Sequence, residues 1–162
     1  MSEKTHIRKA HVKEVPEIWR MLHNFAEKDQ EVLPRTMADL YSYLRDYFIY
    51  QHDEGPIVGI AALHIFWDNL AEIRSLVVQP EFQKSGIGTQ LLEKCLEEAR
   101  SLRIASVFVL ISEKNANFFA RFGFRTIQKE KLPVIVWAEC VHCLKYPDCD
   151  EFPMLLELES GA

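Results

Sequence analysis

Leu70-Ala71-Glu72-Ile73-Arg74-Ser75-Leu76-Val77-Val78, followed by Gln79-Pro80-Glu81-Phe82 and then Gln83-Lys84-Ser85-Gly86-Ile87-Gly88-Thr89, is the stretch from which the rest of the sequence can be placed. Its first part begins with period-2 alternation and ends apolar, as a strand entering a core does. Pro80 cannot donate to a ladder and breaks it. After the two glycines, Leu91, Leu92, Cys95, Leu96 and Ala99 fall on one face of a helix that runs to Ser101. A strand, a glycine turn and a helix in this order make an anion site. Free backbone N–H groups converge at the helix start, and the helix dipole favours phosphate there. The spacing excludes two familiar phosphate loops. A dinucleotide fingerprint needs a third glycine where Leu91 stands, and a Walker loop needs Gly-Lys-Ser/Thr after four residues.

What the loop does resemble is the acyl-CoA signature of the GNAT superfamily of N-acetyltransferases, Arg/Gln-x-x-Gly-x-Gly/Ala, matched by Gln83, Gly86 and Gly88. A second block, Asn115-Ala116-Asn117-Phe118-Phe119-Ala120-Arg121-Phe122-Gly123-Phe124, resembles the superfamily's asparagine, aromatic pair and Gly-Phe before the next strand. The same block also reads simply as a helix that packs aromatics and ends on glycine. The resemblance covers residues 5 to 128. It implies an α/β chain with a three-layer α-β-α GNAT-type fold around a central mixed, mostly antiparallel sheet. Its co-substrate would be acetyl-CoA, held by Leu76, Val77, Val78, Gln83, Lys84, Ser85, Gly86, Ile87, Gly88, Thr89, Asn115 and Phe118.

Around these blocks the chain reads in order. His6 to Ala10 is a first strand, and Val12, Val15, Ile18, Trp19, Leu22 and Phe25 recur at helical spacing, with Pro16 tolerated in the first turn. Thr36 is placed to cap a second helix carrying Leu40, Tyr43, Leu44 and Tyr47, and Asn115 to cap the short aromatic helix. Tyr47 to His52 can also form a strand. Asp53-Glu54-Gly55-Pro56 is a turn, and Ile57 to Trp67 is a strand linked through Asp68-Asn69 to the one that begins at Leu70. Ser106 to Ile111 reads as a strand buried on both faces, with shorter strands at Phe124 to Gln128 and Met154 to Leu158.

The chain has 162 residues, enough for one N-acetyltransferase domain over 1–162, with 48% apolar and 27% charged residues. The charged start Met1-Ser-Glu-Lys-Thr-His shows no secretory signal, and no apolar run is long enough to span a bilayer. A cytoplasmic protein is expected, with no membrane partner. The net charge of −5 and the lack of a basic stripe argue against nucleic acid. A homodimer is left open.

Within the superfamily the chain resembles the short, single-domain N-acetylglutamate synthases, amino-acid N-acetyltransferases of arginine biosynthesis. The carriers are Leu33-Pro34-Arg35-Thr36, the strand from Ala71 to Leu76, Lys131-Leu132-Pro133 with Trp137, and the cysteine segment 140–149. The resemblance implies a small amino-acid substrate, L-glutamate, acetylated on its α-amine in a ternary complex. The residue types agree with it. Period 2 places Glu72 and Arg74 on one face of their strand. A carboxylate there can take a proton from the attacking ammonium, directly or through water. A guanidinium there, with Arg35, can grip a substrate carboxylate. The bland alternative is a Glu–Arg pair satisfying itself at a strand end. A backbone N–H near Val77 is expected to hold the thioester oxyanion. Phe119 stands where many relatives carry a tyrosine that protonates the thiolate; a thiol with a pKa near 8.5 leaves without full protonation. Two other functions remain open, acetylation of another small or protein amine and a non-catalytic acyl-CoA sensor.

Cys140, Cys143 and Cys149 are spaced like part of a zinc loop, which wants four ligands, so His142, Asp150 or a distant residue would have to complete it. Three reduced loop cysteines without metal fit as well, and Cys95 reads as a small buried helix residue. His11, His23 and His64 form no cluster in sequence, and Trp67 and Trp137 suit packing or rim positions.

Overall fold

The computed structural model describes residues 6–29, 32–140 and 149–158. Seven strands and five α-helices follow in the order β1 Ile7–Lys9, α1 Val15–Asp29, α2 Met37–Ser42, β2 Tyr47–Gln51, β3 Ile57–Trp67, β4 Leu70–Val78, α3 Ile87–Ser101, β5 Ser106–Ile111, α4 Ala116–Ala120, β6 Arg125–Thr126, α5 Val134–Ala138 and β7 Phe152–Glu157. This is the expected α/β class with a mixed, mostly antiparallel sheet. The structure divides into two compact units, one holding the chain up to His64 together with Ile73–Glu98, the other Ile65–Glu72 and the chain from Ala99 onward.

In the first unit the strands run β1-β2-β3-β4. β2 is antiparallel to both neighbours whose register is known, with Lys9 opposite Phe48 and Tyr47 opposite Ala62. The helix periodicity of α1 is realised: Val15, Ile18 and Leu22 bury fully against Leu40, Ile49, Ile57, Ile60 and Val77. α3 lays Leu91, Leu92 and Cys95 into the interior with no exposed surface. Each such leucine contributes about 1.5–3 kcal/mol relative to exposure. β3 is buried along Ile57–Leu63, so it reads as an apolar run and not as an alternation.

In the second unit the order is β4-β5-β7-β6. The start of β4 lies parallel to β5, with Leu70, Ala71 and Glu72 opposite Ser106, Val107 and Phe108. β5 is antiparallel to β7 from Ser106–Glu157 to Ile111–Phe152. Its core gathers Phe66, Leu70, Phe108, Leu132 and Val136.

The structure corrects the sequence reading at several places. The second helix stops at Ser42; Thr36 caps it as expected, its Oγ1 accepting the Asp39 N–H at 3.0 Å. Leu44–Asp46 is a 3-10 turn, and Tyr47 belongs to the sheet. Only Leu40 of this helix is buried, too little apolar surface to outweigh the ladder that Tyr47 joins. β6 is confined to Arg125–Thr126, and the following chain forms a 3-10 turn at Lys129–Lys131 and then α5, neither of which was expected.

Candidate active site

The glycine loop is built by backbone conformation. Lys84 (φ 64°) and Gly86 (φ 89°) are both left-handed, which bends the chain sharply into α3. The Gly86 carbonyl accepts the Gln90 N–H at 3.0 Å, so Gly86 stands at the helix N-cap and the amides that follow it lack acceptors within the helix. A Cβ at Gly86 would meet nothing within 4 Å, leaving its open side free for an anion. The Gln83 Nε2 donates to the Val78 carbonyl at 3.0 Å, tying the loop to the end of β4 at the surface. The Ser85 hydroxyl likewise donates to the Phe82 carbonyl. These two predicted ligands thus support the loop's shape.

Upstream on β4, Glu72 and Arg74 are, among the described residues, the two buried charged side chains. They share the face that period 2 gives them, and the next residue, Ser75, still within β4, takes a left-handed φ of 58°. Arg74 stacks over Tyr43, its guanidinium carbon 5.8 Å from the ring centroid. Tyr43 in turn meets the His64 ring edge-to-face at 4.9 Å, and His64 Nδ1 lies 2.7 Å from Asp46 Oδ2. His64, read as incidental from sequence, is therefore part of the wall behind Arg74.

Arg35 arrives from the loop before α2, and its Nε is buried with no hydrogen-bond partner among the described residues. The charges of Arg35 and Arg74 are both felt at the Tyr47 hydroxyl. Burial raises the Tyr47 pKa, while a hydrogen bond with Ser75 and then the charges of Arg35 and Arg74 pull it down. Tyr47 and Ser75 carried no sequence signal, since only the order β2-β3-β4 brings them together.

In the second unit Asn115 ends a 3-10 turn, and its side chain makes no capping bond, against expectation; the turn Glu113–Asn115 already leads the backbone into α4. Phe118 and Phe119 meet edge-to-face at 5.0 Å, and Phe119 also packs on Phe124 at 5.5 Å. Trp67 is exposed, and Trp137 donates its indole N–H to the Lys129 carbonyl at 3.1 Å. Cys143 lies outside the described residues. The described residues, Cys140 and Cys149 among them, contain no group of three metal-binding side chains, so the zinc expectation finds no support. Cys95 is buried as expected, which pushes its thiol up to about 12 and keeps it unreactive.

The sequence pattern of the Acetyltransferase (GNAT) family matches residues 12–124. An uncharacterized N-acetyltransferase of Chlorobaculum tepidum is 34% identical over 154 residues, covering 95% of this chain and 97% of that one. The amino-acid acetyltransferase of Mycobacterium tuberculosis is 33% identical over 135 residues, 82% of this chain and 75% of that one. N-acetylglutamate synthase from Neisseria gonorrhoeae, solved with coenzyme A and N-acetyl-glutamate, superposes with a TM-score of 0.83 at 26% identity, covering 94% of this chain and 35% of that one. The chain belongs to the GNAT acetyltransferase family. It is an acyltransferase, and no described helix is long and apolar enough to cross a membrane.

Proposed function

We propose that the protein transfers the acetyl group of acetyl-CoA to the α-amine of L-glutamate, the entry reaction of arginine biosynthesis. The observation that carries this reading is the Arg35 Nε, buried and lacking a partner among the described residues, beside a second buried guanidinium, Arg74, on β4. Two guanidinium groups suit an acceptor with two carboxylates and repel a basic amine. The names of the similar proteins support the same acceptor class.

In this mechanism Arg35 and Arg74 hold the acceptor's carboxylates, and the Lys84 to Thr89 loop holds the pyrophosphate of acetyl-CoA. Leu76, Val77 and Val78 line the thioester arm, a backbone N–H near Val77 taking the oxyanion. Asn115 and Phe118 are assigned to acetyl-CoA by the family resemblance of their block. Glu72 takes the proton that the ammonium must lose before nitrogen can attack the thioester carbon. The C–N bond forms, the C–S bond breaks, and coenzyme A departs as a thiolate that water can protonate.

The test is thiol release from acetyl-CoA with a panel of amino acids and polyamines, with the acetylated product identified by mass. L-glutamate should be the best acceptor; release with polyamines alone, or with no amine despite tight acetyl-CoA binding, would overturn the reading. Glu72→Gln keeps shape and loses basicity. Its kcat should fall on the order of a hundredfold at neutral pH with acetyl-CoA affinity retained, and the deficit should shrink at high pH, where more amine arrives deprotonated. A pH-independent deficit would assign the base elsewhere.

A further inference from the structure

Ser75 sits inside a strand with φ 58°, a conformation that side-chain-bearing residues avoid and that persists only where the surroundings enforce it. Glycine would adopt it freely. What serine adds is a hydroxyl, and that hydroxyl lies 3.4 Å from the Tyr47 hydroxyl. Tyr47 is on β2, so its ring must reach past β3, where its register partner is the fully buried and small Ala62. The tyrosine itself is 3% exposed and packed into the core with Ile60, Ala62 and Val77, so its hydroxyl is aimed by the whole cluster. The register with β5 runs over Leu70–Glu72 and ends before Ser75. Leu76, Val77 and Val78 therefore take their direction from the turn of the backbone at Ser75.

We infer that Tyr47 is a positioning residue for acyl transfer, its buried hydroxyl holding Ser75 in the left-handed conformation that aims the amides of Leu76, Val77 and Val78. This rests on the assignment of those amides to the thioester in the proposed function. Burial outweighs the nearby positive charges and raises the Tyr47 pKa above 10.0, so the hydroxyl stays neutral and able to donate throughout the working range.

The experiment compares Tyr47→Phe, Ser75→Ala, Ser75→Gly and Tyr47→Phe/Ser75→Gly with wild type, using whichever amine the wild type acetylates. Tyr47→Phe and Ser75→Ala should each lower kcat by about tenfold while the acetyl-CoA dissociation constant changes less than about twofold. Ser75→Gly should lose less than Ser75→Ala, because glycine needs no tether. On the Ser75→Gly background, Tyr47→Phe should cost less than about twofold more. Unchanged kcat in Ser75→Ala, or an equal cost of Tyr47→Phe on both backgrounds, overturns the tether. Should Tyr47→Phe fail to fold, the ranking of Ser75→Gly against Ser75→Ala decides alone, since neither disturbs the Tyr47 ring. The backbone amide NMR shifts of Leu76, Val77 and Val78 give a readout without acceptor. They should move in Ser75→Ala even if glutamate proves to be the wrong amine, and static shifts overturn the tether whatever the acceptor.

Discussion

Arg74 and Arg35 supply positive charge from unlike surroundings. Arg74 is buried on a strand and braced by Tyr43, whereas Arg35 comes from a loop with a buried Nε that lacks a partner among the described residues. Replacing either with alanine removes a charged contact to the acceptor, worth a few kcal/mol. Arg35→Ala and Arg74→Ala should therefore raise the KM for glutamate on the order of a hundredfold and leave that for acetyl-CoA nearly unchanged. Steady-state kinetics with each substrate varied in turn checks this, and equal changes in both would give the arginines a structural role. Arg74→Ala should also lower stability more than Arg35→Ala, because it leaves a void beneath Tyr43.

The closeness of α3 to the strands depends on Gly59, a glycine that the sequence reading passed over. A Cβ there would stand 2.9 Å from Leu91 Cδ1, 3.1 Å from Ile87 Cγ2 and 3.4 Å from the Val77 carbonyl oxygen. The Leu91 methyl can swing, but Ile87 Cγ2 is fixed to a branched Cβ in the first turn of the helix. Gly59→Ala should push that turn outward, costing about 1–3 kcal/mol in urea unfolding. Acetyl-CoA affinity should weaken with it, because the loop moves with the helix. Gly86→Val is its complement. No protein atom lies within 4 Å of that Cβ, so the fold should survive with a modest penalty from the left-handed backbone while acetyl-CoA binding is abolished. Loss of stability without loss of binding at Gly59, or intact binding at Gly86, would break the link between loop geometry and phosphate.

Across the molecule, what could be read from sequence was what local pattern encodes. β3, β4, α3 and β5 were legible because long apolar runs and a 3.6-residue period admit few alternatives, and the glycine loop because its spacing is distinctive. α5 was missed because its apolar residues form one short run, Val134 to Trp137, that gains its partners only when Val136 joins the cluster of Phe66, Leu70, Phe108 and Leu132. Tyr47 with Ser75, and His64 behind Arg74, were missed for the same reason: residues on different strands meet only once the sheet exists. The network that joins the first strand to its neighbours is equally non-local. Arg8 grips Glu14 through two hydrogen bonds, at 2.9 and 2.7 Å, and its Nη2 also reaches Gln51 Oε1 at 2.8 Å. The Gln51 side chain continues to the Gly55 carbonyl at 2.6 Å, and Glu14 caps the His11 N–H at 2.7 Å. Arg8 holds the Glu14 carboxyl below its ordinary 4.5, against the opposing effect of burial. A carboxyl with a lowered folded pKa stabilises the fold above its unfolded pKa, and that contribution is lost as pH falls through the folded value. Because the Arg8 side chain is 36% exposed, solvent screening holds the network to about 1 kcal/mol. Glu14→Gln should thus be less stable than wild type by about 1 kcal/mol at pH 7. The gap should narrow as the pH falls below 4.5 and close once Glu14 is protonated in both states. Urea unfolding of both proteins across that range measures it, and a gap that stays constant into acid would show that the carboxylate's charge plays no part in holding the first strand.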